Sequence, residues 1–124
     1  MQGAPPRTQR HNGPVSPALL TSYIKKAWAV KTLFHTYSTH KSSFNHIHLS
    51  ACWNSLGHLA RGADSGWHQE HATALAMLVE QTTAMVKTDS HIRVRELANI
   101  AHGVAKSGRG SSMGSLMEAL ARSI

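Results

Sequence analysis

The residues of this chain that could do chemistry are ten histidines, one cysteine, and lysines interleaved with aromatic rings. His46 and His48 precede Cys52, and His68 stands three residues before His71, so soft metal ligands lie close in sequence. On a helix, residues two apart point about 200° from one another, so His46 and His48 would not chelate together. His68 and His71 lie one turn apart, but no third and fourth ligand is evident, and their spacing is not that of the helical zinc-protease motif. Neither a metal nor a cofactor is therefore expected. Cys52 follows His48 by one helical turn, yet a thiolate–imidazole pair needs an orienting partner and an open cleft. Cys52 falls on an apolar stripe and is expected in the core. Gly108-Arg109-Gly110 is a helix stop and turn, not a phosphate-cradling loop, and an enzyme is not expected.

Charge is distributed unevenly. The formal net charge is +7, and the first acidic residue is Asp64. Residues 1–63 carry Arg7, Arg10, Lys25, Lys26, Lys31, Lys41 and Arg61 without a carboxylate, whereas residues 64–124 are balanced. A one-sided basic surface favours a polyanion. No apolar run approaches the about 20 residues that a membrane helix requires, so no membrane partner is expected.

The elements that position these residues follow from periodicity. Residues 1–16, with Pro5, Pro6, Gly13 and Pro14, are expected to form a disordered basic leader. The leader is basic and acid-poor, as organelle transit peptides are. Ser16-Pro17 is a helix start, and Leu20, Ile24, Ala27 and Leu33/Phe34 continue helical spacing to about Tyr37. A second helix is predicted over 45–60, capped by Asn45, with Ile47, Ala51, Cys52, Leu56 and Leu59 as its buried stripe. A third begins near Trp67. A fourth begins at Asp89 or Ser90 and stops at Gly108, with Leu97, Ile100, Ala101 and Val104 inward. The fifth begins at Ser111 or Ser112, with Met113, Leu116, Met117, Leu120 and Ile124 on one stripe. No segment alternates with period two, so no sheet is expected.

Residues 49–61 can be laid over residues 97–109 at a constant offset of 48. Leu49 then falls on Leu97, Cys52 on Ile100, Leu56 on Val104, Gly57 on Ala105 and Arg61 on Arg109. Self-similarity at such a period marks stacked helical hairpins, each needing a neighbour to bury its apolar face. The expected fold is all-α: a helical-repeat (α-solenoid) fragment of about five helices over 17–124, a lead helix followed by antiparallel hairpins, belonging to a longer array.

Within this pattern, Glu96, Leu97, Ala98, Asn99, Ile100, Val104, Ala105 and Gly108 match the helix of octotricopeptide repeats. Residues 44–54 resemble a degenerate earlier copy, and the likeness extends to the helical arrays of RAP-associated FAST-kinase-domain proteins. The resemblance implies an RNA-binding protein of mitochondria or chloroplasts, acting in RNA processing, stability or translation.

A groove for single-stranded RNA needs cations for phosphates and flat groups for bases. The first half supplies Lys25, Lys26, Lys31, Lys41 and Arg61 among Trp28, His35, Tyr37, His40, His46 and His48. In helical-repeat readers, a few side chains per repeat face one base. The corresponding positions are Ser50, Trp53 and Asn54 in one repeat and Ala98, Asn99 and His102 in the next. The candidate RNA-binding residues are therefore Lys25, Lys26, Lys31, Lys41, Trp53, Asn54, Arg61, Asn99, His102 and Arg109. A protein-interaction scaffold of the same fold is the alternative.

Overall fold

The computed structural model describes residues 15–107 and 113–123. Arg109, Gly108 as a helix stop, the helix start at Ser111 or Ser112, the inward placement of Met113 and Ile124, and nearly all of the basic leader lie outside the described residues. The described chain is all-helical: α1 (Pro17–Lys26), α2 (Val30–His40), α3 (His46–Ala60), a single turn α4 (Trp67–Glu70), α5 (Ala72–Thr88), α6 (Val94–Ser107) and α7 (Met113–Ser123). No strand occurs among these residues.

The lead helix is two helices. Ser16 caps α1 by accepting from the Leu19 N–H at 3.1 Å, with Pro17 in the first turn. The backbone then turns extended at Ala27 and Ala29. The break follows from helical phase. Lys31 lies about three turns beyond Leu20, so an unbroken helix would carry its ammonium onto the stripe that buries Leu20 and Ile24. Breaking the helix resets the phase: Val30, Leu33, Phe34 and Tyr37 go inward and Lys31 outward.

Asn45 caps α3 as expected, accepting from the N–H groups of Ile47 (2.9 Å) and His48 (3.0 Å). In return the Asn45 N–H donates to Nδ1 of His48 at 2.9 Å, so the imidazole completes a reciprocal capping box. Its other nitrogen, Nε2, then carries the hydrogen and donates to the Pro17 carbonyl at 3.0 Å. His48 is thus a buried structural group joining the starts of α1 and α3. Ile47, expected on the buried stripe, is 49% exposed, and Met117 of α7 is also exposed. The third predicted helix is interrupted at His71, and the fourth begins only at Val94. Before Val94, Asp89 accepts from the His91 N–H and Glu96 from the Arg93 N–H, which holds 89–93 in a turn.

Helices α1, α3 and α6 lie side by side and run parallel. Two bonds join α1 to α3 at the same separation of 31 residues, from His48 to the Pro17 carbonyl and from Ser55 Oγ to the Ile24 carbonyl. Between α3 and α6, Asn99 donates to Ser50 Oγ at a separation of 49, and one turn further on Gly103 meets the Trp53 carbonyl. Helix α2 packs on α3 and α5, and α7 packs on α5 and α6. The core between them holds Cys52, Trp53, Leu56, Leu78, Ile100 and Leu116, all fully buried. Trp53 donates its indole N–H to Thr82 Oγ1 at 2.9 Å, and Thr82 donates to the Leu78 carbonyl, so the buried polar atoms are paired.

Asp89 ties this frame together at one end: its carboxylate meets Nδ1 of His46 at 3.0 Å and of His91 at 3.5 Å. The His91 backbone N–H, with lesser help from the His46 imidazole, holds the carboxyl below its ordinary range. A carboxyl shifted down stabilises the fold above the ordinary carboxylate range, and that contribution disappears as pH falls through the lowered value. Thermal melts of Asp89→Asn against the parent at pH 5 and pH 3 check this. The parent is expected to melt higher at pH 5, with the gap narrowing at pH 3; a constant gap contradicts the assignment.

Candidate nucleic-acid interface

Because α1, α3 and α6 are parallel, their C-terminal ends come to one edge, and each end carries a basic side chain. Lys25 and Lys26 lie in the last turn of α1, His58 in that of α3, and Lys106 in that of α6. Arg61 follows α3 directly. Such placement complements the partial negative charge of helix C-termini and by itself needs no ligand. Helix polarity does not account for the neighbouring aromatic. In the bend between α1 and α2, the Trp28 indole is 80% exposed, the most exposed large apolar side chain among the described residues. A cleft runs from Trp28 past His58 and Leu59 to Gly62 and Asp64. Lys31 lies three residues beyond Trp28, exposed in the first turn of α2. Among the described residues, Lys25, Lys26, Lys31, Arg61 and Lys106 form no ion pair with a carboxylate.

The edge thus gathers Lys25, Lys26, Lys31 and Arg61 from the expected residues. The other candidates fall elsewhere. Lys41 lies at the far end of α2, half-buried, with Nζ 3.8 Å from Met77 Sδ and its carbonyl accepting from Gln81. Trp53 is fully buried and cannot stack a base. Ser50 is buried and half-buried Asn99 donates to it. Asn54 is half-buried, and His102 is exposed on α6. The departures of Ser50, Trp53 and Asn99 share one cause: α3 and α6 pack directly on one another in parallel, so these positions meet the facing helix instead of forming a shared outer surface.

The expected stacking groups are similarly divided. Trp28 and His35 are exposed, whereas Tyr37 is buried with its hydroxyl donating to Gln81 at 2.7 Å. Burial, with smaller effects from Cys52 and Glu80, pushes the Tyr37 phenol up to about 12. His58 and Lys106 were absent from the sequence candidates; the signal available was their place at the ends of the two similar helices.

The histidine groupings serve packing. His68 Nε2 donates to the Ser107 carbonyl at 2.7 Å while its ring stacks on Trp67, and His71 stacks on Phe34. Cys52 is fully buried, and burial pushes its thiol up to about 12. His48 is committed to Asn45 and Pro17, so it does not activate that thiol. A maleimide or disulfide reagent at pH 8 should therefore leave Cys52 unmodified in the folded protein and label it rapidly in denaturant. Equal labelling in both conditions would place the thiol at the surface.

The described residues thus define an all-α protein with Trp28 and a group of exposed basic side chains at one end of a parallel helix layer. No family model matches the chain, and no curated protein or solved structure matches it. No helix among the described residues is long and apolar enough to cross a membrane.

Proposed function

We propose that this chain is part of an α-solenoid that binds single-stranded RNA along the Trp28 edge. In this reading α3 and α6 are equivalent helices of neighbouring repeats, and α5 and α7 are their second helices. The 48-residue sequence offset and the parallel packing of α3 on α6 support it. The observation that carries the RNA assignment is Trp28: an indole 80% exposed, flanked in sequence by Lys25, Lys26 and Lys31 and sharing a cleft with His58 at the end of α3. Stacking on an open indole while lysines hold phosphates is the elementary recognition of an unpaired strand.

The activity is binding, without a catalytic step. Covering a stretch of transcript changes what a nuclease or ribosome meets, which fits the processing, stability or translation of organellar RNA. The resemblance of 95–108 to octotricopeptide repeats supports a mitochondrial or chloroplast location. Protein binding is the second reading. A groove lined by Ala76, Val79, Thr83 and Ala84 on α5, with Ser115 of α7, favours it. Titration of RNA against the protein across salt concentrations separates the two, because counterion release makes only the RNA complex strongly salt-dependent.

A further inference from the structure

The end of the helix layer opposite Trp28 holds a second group of basic side chains. Between the first turn of α3 and the entry to α6 runs a cleft whose polar wall is His46, His91, Arg93, Arg95 and the carboxylate of Glu96. Ile47 and Val94, 49% and 70% exposed, form its apolar rim. The nearby carboxylates are already engaged. Asp89 accepts from the His91 backbone and meets the rings of His46 and His91, while Glu96 accepts from the Arg93 N–H. Neither guanidinium forms an ion pair among the described residues.

Two guanidiniums with no carboxylate partner suit a ligand of more than one negative charge. An internal phosphodiester carries a single charge. A terminal phosphate monoester carries about −1.5 to −2 at neutral pH and three acceptor oxygens, which match guanidinium forks. The attached nucleoside can lie over Ile47 and Val94. The length of α3, about 22 Å at 1.5 Å per residue, separates this cleft from the Trp28 edge, so one strand of several nucleotides can reach both.

We infer that this cleft binds the terminal phosphate monoester of an RNA strand. The inference rests on the RNA reading above, extending it from a strand to a strand end. The test titrates one short single-stranded RNA prepared with a 5′-phosphate, with a 3′-phosphate, or with hydroxyls at both ends. One phosphorylated form is expected to bind about tenfold tighter than the hydroxyl form, the effect of a charge held by guanidinium donors. Which form gains identifies the end. R93A/R95A should erase that preference, bringing the phosphorylated form to the affinity of the hydroxyl form, whereas R122A on α7 should preserve it.

Equal affinity for all three RNAs, or a preference that survives R93A/R95A, overturns the inference while the RNA reading stands. A parallel titration with inorganic phosphate, read from the amide signals of Arg93, Val94 and Arg95, keeps the failures apart. Shifted signals with no RNA bound at any salt concentration would overturn both the RNA reading and the ligand assigned to the cleft.

Discussion

Gly103→Ala is expected to destabilise the fold by about 3 kcal/mol and to lower Tm by about 10 °C or more. In an exposed helix interior the same change stabilises by about 1 kcal/mol, because alanine restricts the unfolded chain and favours helix. Here the added methyl would overlap the carbonyl carbon and oxygen of Trp53 and lie 2.9 Å from its Cβ. The obstructing atoms are mainly backbone, and the indole beyond them is fixed by full burial and its bond to Thr82. No rotamer change relieves the overlap, so α3 and α6 must separate and lose contacts around Cys52, Leu56 and Ile100. Two other glycines calibrate the result. A methyl at Gly57 would stand 3.2 Å from Gly103 Cα, a tight contact that small shifts relieve, and one at Gly114 meets nothing within 4 Å. Thermal melts should therefore rank Gly114→Ala above Gly57→Ala and both well above Gly103→Ala. A Gly103→Ala protein as stable as its parent would contradict the close crossing of α3 and α6.

The other large effect concerns the basic edge. Trp28→Ala should weaken single-stranded RNA binding by about tenfold or more, since stacking one base on an aromatic ring is worth about 1–3 kcal/mol. K25A/K26A/K31A should act differently. Each lost phosphate contact lowers the slope of log affinity against log salt by about 0.7 for a single strand, so the triple variant should flatten it by about two. Neither change should alter helix content, because Trp28 and the three lysines are exposed. Lys41→Ala serves as a control: Lys41 lies by Met77, away from the edge, and should leave RNA affinity nearly unchanged. If Lys41→Ala weakens binding as much as the triple variant, the footprint on the C-terminal edge is wrong.

Helical class, the Asn45 cap and burial of Leu20, Ile24, Leu56, Leu97, Ile100 and Val104 were legible in the sequence, because each rests on local spacing. Cys52 was legible for the same reason, lying on the apolar stripe of its helix. The break at Ala27–Ala29 was less legible, since alanine favours helix and the apolar spacing continues through it. The cause is a phase conflict at Lys31 that emerges only when two faces of one long helix are compared. His48 read as a base-stacking group and is a structural cap, because its partner Pro17 lies 31 residues away. Trp53 and Asn99 read as outward positions because periodicity gives a face but not the neighbour covering it. Their helices cover each other. The basic edge was half legible: the lysines and Trp28 are evident in the first half of the chain. The parallel ends that add His58 and Lys106 depend on tertiary packing.

The proposal that the Trp28 edge holds an unpaired RNA strand is open to direct measurement. The most direct measurement is fluorescence anisotropy of a single-stranded RNA pool titrated with the parent protein and Trp28→Ala at several salt concentrations, beside duplex DNA. The expected result is preference for the single strand, affinity that falls steeply with salt, and loss of that preference in Trp28→Ala. Equal, weak binding of parent and variant to both polyanions would contradict it, reducing the edge to unspecific positive charge.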